Sequence, residues 1–383
     1  MRRVRCRMSV LVPLALLAIP SFALSVTARA EDLASQVEEF LEARVQRDRF
    51  SGSILVARDG KVLVRRGYGM ANLEHDVPNT PETKFRVGSI TKQFTAMAVM
   101  ILQEQGKIDV HEKIKKYLPD APAAWDEICV QHLLTHTSGI PNFTGFPEYP
   151  EMMRRHMMLE NLVDSFKGKA LEFKPGEQFE YSNSGYVLLG YLIEKVSGKP
   201  YASVLQEAIF DPLGMKSTGY DNPIPVLKHR ASGYAGRGPF RVNASFIDMT
   251  VPHAAGALYS TVDDLFLWDR ALLTEMLVPQ AAREAMFTPI EEGYGYGWVI
   301  TKQFGRRSVS HGGGINGFVA RFLRFPDDGV CVVVLSNVEG TDAWALADDL
   351  AAVTLGEKPN HTGNRKEASP SDKEGASPLK EKP

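Results

Sequence analysis

Two groups of strand-like sequence at opposite ends of the chain constrain its fold more than any other feature. Ser53-Ile-Leu-Val-Ala-Arg58 and Lys61-Val-Leu-Val-Arg-Arg66 flank Asp59-Gly60, and an Asp-Gly pair between β-prone runs is a strong hairpin signal. Strand patterns return only at residues 296–301, Phe318–Phe325 and Val330–Ser336, with Asp327-Asp328-Gly329 as the turn between the last two. Between the groups the apolar spacing is helical, which predicts helices over residues 91–105, 185–196, 201–209 and 262–273. Two further helices, over residues 32–47 and 341–355, lie outside the strands. The pattern predicts an α/β (α+β) fold. Both chain ends, residues 31–80 and 278–357, build one antiparallel sheet flanked by terminal helices, and residues 81–277 form a large, mostly helical insertion. A cleft between sheet and insertion is the natural site.

The first thirty residues read as a leader. Arg2, Arg3, Arg5 and Arg7 precede an apolar run broken by Pro13 and Pro20, and Ala28-Arg29-Ala30 offers small residues at the spacing for cleavage. This is the pattern of a secretory signal peptide, and the run falls short of the roughly 20 apolar residues of a membrane span. The expected location is periplasmic or extracellular. The leader holds five of the 44 Lys and Arg and none of the 46 acidic residues, so the remainder carries a net charge of −7. No basic surface suited to nucleic acid is expected. Cys6 leaves with the leader, while Cys129 and Cys331 sit in apolar runs typical of buried free thiols. Residues 358–383 are rich in Lys, Glu, Ser and Pro with no aromatic residue, which predicts a disordered tail.

Three short motifs carry the chemistry. In Ser89-Ile90-Thr91-Lys92 a helix starting at the serine places the lysine one turn on, within reach of the hydroxyl. A serine needs such a base to become a nucleophile, and a helix N-terminus offers N–H groups to an oxyanion. In Tyr181-Ser182-Asn183 an extended backbone puts phenol and amide on one side, one to shuttle a proton and the other to hold a carbonyl. His311-Gly312-Gly313-Gly314, just ahead of the strand Phe318–Phe325, exposes backbone N–H groups as oxyanion donors. Gly312 to Gly317 also spells G-x-G-x-x-G, but a strand follows it rather than the helix a dinucleotide site requires. His132 and His136 lie four apart without the Glu of H-E-x-x-H, so no metal is expected there.

In this order and on this architecture the motifs resemble those of the penicillin-recognising serine hydrolases: class C β-lactamases, D-alanyl-D-alanine carboxypeptidases, D-aminopeptidases and related esterases. His132-Leu-Leu-Thr-His-Thr-Ser-Gly-Ile-Pro141, Pro212-Leu-Gly-Met215, Gly256-Ala-Leu-Tyr-Ser-Thr-Val-Asp-Asp264 and Tyr294-Gly-Tyr-Gly-Trp298 extend the likeness over nearly all of residues 33–355. It implies a β-lactamase/transpeptidase-like fold and acyl-enzyme chemistry without metal or organic cofactor. The catalytic residues are then Ser89 as nucleophile, Lys92 as its base or tuning group, and Tyr181 as proton relay. Asn183, His311, Gly313 and Gly314 bind substrate, with an oxyanion hole at the N–H groups of Ser89 and Gly314. Whether Lys92 or Tyr181 is the acylation base stays open.

One departure bears on substrate. Families that grip a substrate carboxylate often carry Thr or Ser at the middle of the third motif, where this chain has Gly312, and class C β-lactamases have Lys where it has His311. Arg306 and Arg307, a few residues upstream, are candidate carboxylate clamps. The expected function is an exported serine hydrolase acting on D-amino-acid peptides, amides or esters. A carboxylesterase using the same site and a penicillin-binding sensor without turnover are the alternatives. Met152, Met153, Met157 and Met158, beside Arg154, Arg155 and His156, read as a lid or packing patch.

Overall fold

The computed structural model describes residues 22–237 and 240–360. Helix α1 (Phe22–Asp48) leads into the hairpin β1 (Gly52–Arg58) and β2 (Lys61–Tyr68). The chain then runs through a helical region containing α2 (Thr91–Glu104), α3 (Asn183–Ser197) and α4 (Val262–Ala271). It returns as β3 (Val299–Gln303), β4 (Arg306–Ile315), β5 (Phe318–Phe325) and β6 (Val330–Ser336), and α5 (Ala343–Leu355) follows. The strands form one antiparallel sheet in the order β3-β4-β5-β6-β1-β2. β1 meets β6 from Gly52 opposite Ser336 to Arg58 opposite Val330, so both ends of the chain share the sheet centre.

The central strands are buried at nearly every position because both faces are covered. Val330, Val332 and Val334 join Ile54, Val56, Leu323 and Phe325 under α1 and α5. Cys331, Val333 and Leu335 face the other way, with Leu55, Ala57 and Phe322, into the larger core of the helical region. α2 is buried along Thr91–Leu102, its apolar residues in the core. α3 ends at Gly198, whose left-handed φ of 70° lets its N–H reach the Glu194 carbonyl at 2.8 Å. α5 starts on Asp342, which accepts the Ala345 N–H at 3.0 Å.

Strand β4 is absent from the sequence reading. Two arginines and three glycines weaken a strand signal, and the segment is held by its neighbours, from Gln303 opposite Arg306 to Ile315 opposite Phe318. The third motif therefore lies inside a strand, not in a loop ahead of one. Cys129 and Cys331 are free thiols. Residues 1–21 of the expected leader lie outside the described residues, and residues 22–30 are the first turns of α1. The expected tail is described only as far as residue 360, where the Asn360 N–H donates to Asp349 Oδ1 at 3.1 Å. No described helix is long and apolar enough to cross a membrane.

One buried ion pair ties the helical region to the sheet. Arg324 of β5 donates from Nε to Asp269 Oδ1 of α4 at 2.6 Å, and from Nη2 to the Asp269 carbonyl at 3.2 Å. Asp269→Ala leaves the guanidinium buried and unpaired, and chemical denaturation is expected to show a loss of about 3–5 kcal/mol.

Candidate active site

Ser89 sits in the 3-10 turn Gly88–Ile90 that precedes α2, one step before the helix the sequence placed it in. The short strand Phe85–Arg86 pairs with Leu258–Ser260, the Val87 N–H continues to the Leu258 carbonyl at 3.0 Å, and the Leu258 N–H returns to Thr91 Oγ1 at 3.1 Å. On its other side the turn lies directly on β4. A Cβ on Gly313 would fall 1.9 Å from the Val87 carbonyl oxygen, and one on Gly88, whose φ is +51°, 2.9 Å from Gly314 N. Glycine is required at both because backbone meets backbone there. This contact sets Ser89 beside exposed Gly314.

Lys92 is fully buried, and its Nζ converges on three oxygens: Ser89 Oγ at 3.1 Å, Asn183 Oδ1 at 2.8 Å and the Ala255 carbonyl at 2.9 Å. It also lies 4.7 Å from the centre of the Tyr181 ring. Asn183 is the first residue of α3, where the preceding Ser182 is still extended (φ −132°, ψ 116°). Asn142 Oδ1 accepts the Asn183 N–H at 3.1 Å. With its Oδ1 given to Lys92, Asn183 presents Nδ2 toward Thr144 Oγ1, 3.4 Å away. Ser89, Lys92, Tyr181 and Asn183 are thus brought together from two helix starts.

His311 is placed differently from the expectation. It is 5% exposed, its Nδ1 stands 2.6 Å from the Gly312 carbonyl and its Nε2 is 2.9 Å from the Tyr294 hydroxyl. Burial, with the nearby Lys92 charge, lowers its pKa to about 3. It is neutral and braces β4 against Tyr294. Gly312 points to the opposite face of the sheet, where a Cβ would strike the Trp344 ring of α5 at 1.8 Å. A hydroxyl there would not face the cleft, so the absence of Thr or Ser at this position removes no group that could reach a substrate. The arginine clamp falls. Arg306 pairs with Asp328 and Glu357 and Arg307 with Asp327, five and four residues along the strand from His311.

Two residues of this site escaped the sequence reading as functional. His136, 1% exposed with a left-handed φ of 59°, packs its ring 4.2 Å from that of Tyr181. Tyr294 joins His136 (4.7 Å between ring centres) to His311. The only available signal was the presence of both in stretches that carry the family resemblance. His132 does not join His136: its Nδ1 accepts the Cys129 N–H at 3.2 Å. Among the described residues no group of three or more His, Cys, Asp or Glu is placed to hold a metal ion. Met153 packs with Ile247, Met249 and Ile315, whereas Met158 is exposed, so the methionine group is mainly packing.

Residues 33–356 match the family model described as Beta-lactamase, and the chain belongs to that family of serine hydrolases. A penicillin-binding protein of Bacillus subtilis (strain 168) is 29% identical over 328 residues, covering 79% of this chain and 71% of its own length. The solved octameric penicillin-binding protein homologue from Pyrococcus abyssi is 31% identical with a TM-score of 0.75, over 85% of this chain and 78% of that one. The D-amino acid amidase of Ochrobactrum anthropi SV3, solved with L-phenylalanine amide, is 25% identical with a TM-score of 0.73, over 85% of this chain and 98% of that one.

Two outcomes follow from this geometry. Gly313→Ala drives a methyl into the Val87 carbonyl and must part the Ser89 turn from β4, so kcat is expected to fall about 100-fold while the far-ultraviolet spectrum is retained. Acid should also destabilise the fold through its buried histidines. Burial holds His253 at about 4 and His311 at about 3, and burial with the Lys92 charge holds His136 well below the ordinary value. Each depressed pKa means that the unfolded chain takes up a proton near pH 6.5 that the folded chain refuses. Their contribution is therefore intact above pH 6.5 and is lost as pH falls toward the folded values. Urea melts should show stability falling as pH is lowered from 6 toward 4, by up to about 1 kcal/mol per pH unit for each histidine that stays neutral in the fold.

Proposed function

We propose that this protein is an exported acyl-transfer hydrolase of D-aminoacyl amides and esters, with Ser89 as nucleophile. The observation that carries the reading is the 3.1 Å hydrogen bond between Lys92 Nζ and Ser89 Oγ, in a lysine held from two other sides by Asn183 and the Ala255 carbonyl. In its neutral form the Lys92 amine takes the hydroxyl proton as Oγ bonds to the substrate carbonyl carbon. The N–H groups of Ser89 and Gly314 receive the oxyanion. As the carbonyl re-forms, Tyr181 passes a proton to the departing amine or alkoxide and regains one from Lys92. Water then attacks the ester at Ser89, giving its proton back along the same relay, and the acid leaves with Oγ protonated again. Asn183 Nδ2 donates to the acyl-side carbonyl of the substrate.

The electrostatics favour amides and esters over peptides with a free carboxylate beside the scissile bond. His311 is neutral, Arg306 and Arg307 are paired away from the motif, and Arg321 stands opposite Gly312 on the face of Trp344. None of these residues supplies a clamp. The amidase neighbour, solved also with D-phenylalanine, supports the same substrate class. Export rests on the leader pattern in residues 1–30.

Ser89→Ala is expected to lower turnover of D-phenylalaninamide by about 1,000-fold or more and to abolish the mass shift seen on incubation with a slow acylating penicillin. For the intact enzyme, kcat/KM for D-phenylalaninamide should exceed that for an acyl-D-Ala-D-Ala peptide by about tenfold or more. A preference for the peptide would overturn the substrate assignment, and a Ser89-independent adduct the mechanism.

A further inference from the structure

We infer that His136 is a positioning residue for Tyr181, fixing the chain on both sides of that tyrosine and bracing its ring. The inference rests on the proton-relay part given to Tyr181 above. The His136 carbonyl accepts the N–H of Glu180 at 3.0 Å, and its Nδ1 accepts the N–H of Ser182 at 3.1 Å. One residue thus holds both neighbours of Tyr181, while its ring lies 4.2 Å from the Tyr181 ring at a 34° tilt.

The backbone of His136 is in an uncommon conformation where its carbonyl and its ring make these two contacts. Its φ of 59° lies in the left-handed region, which few non-glycine residues adopt and which persists only where surrounding contacts hold it. The ring is 1% exposed and backed by Tyr186 of α3, 5.1 Å between centres, and by Tyr294, whose hydroxyl meets His311 of β4. The brace is therefore anchored to the helix that carries Asn183 and to the strand that carries Gly314. Because Nδ1 is an acceptor, the ring proton is on Nε2 and the imidazole is neutral. Burial and the Lys92 charge keep it so, and with its one basic nitrogen given to the Ser182 N–H the ring is not free to take a proton from the phenol. Its effect on the reaction passes through the placement of Tyr181.

A double-mutant cycle on the full chain tests this, with D-phenylalanine nitroanilide as substrate. The variants are His136→Phe, His136→Asn, Tyr181→Phe and the two double substitutions. His136→Phe keeps a ring but removes the acceptor, and is expected to lower kcat about 10- to 100-fold with little change in KM. His136→Asn restores an acceptor and tolerates the left-handed backbone, and should recover part of that loss. In the Tyr181→Phe background either change should alter kcat by less than about twofold, because the residue it positions no longer acts. If Tyr181→Phe is costly but the losses multiply in the double variants, the inference is overturned and the relay reading stands. If Tyr181→Phe leaves kcat unchanged, the relay reading falls and the inference with it. Should His136→Phe fail to fold by thermal melt, the His136→Asn cycle gives the same decision.

Discussion

The site depends on the backbone contact between the Ser89 turn and strand β4. With Gly88 and Gly313 as the touching residues, no side chain separates the turn from the sheet. That closeness sets Gly314 beside Ser89 and lets one strand border the serine. The rest of the arrangement is a set of tethers on Lys92, which takes an amide oxygen from α3 and a carbonyl from the short helix His253–Gly256. None of these partners belongs to the helix that carries the lysine. Ser89 and Lys92 are therefore set relative to each other by long-range packing, although they are three residues apart in the chain.

A second theme is the neutrality of the groups around that lysine. His136 and His311 are both buried, both held uncharged and both connected through Tyr294. Burying a second positive charge beside Lys92 would be costly. The polar atoms of both imidazoles instead serve as hydrogen-bonding fixtures, one for the segment around Tyr181 and one for β4. This shell of aromatic rings orders the site without adding charge to it.

Much of this was legible in the sequence, and the gaps have physical causes. The two terminal strand groups and the helical middle followed from periodicity, and the three motifs led to the family through their order. Strand β4 was not legible because its arginines and glycines suit a sheet only when partners flank both edges. The direction of Gly312 depended on Trp344 of α5, thirty-two positions on, and the neutrality of His311 on its burial and on the Lys92 charge, neither of which a local pattern reveals. His136 presented itself as half of a metal-like pair. Its left-handed backbone, which turns it toward residues 180–182, is a property of the folded loop alone.

The pairing of β1 with β6 has a consequence for how the protein comes into being. Synthesis delivers Ser89 and Lys92 early, but Gly313 and Gly314 arrive only with β4, and the inner edge of β1 stays open until β6 is complete. A nascent chain carries Ser89 long before it carries the strand against which the Ser89 turn packs. Contacts of such sequence separation form late and slowly. The Ser89 turn and β4 thus share one framework only once the sheet closes, and a chain truncated before residue 330 retains an unpaired β1 edge.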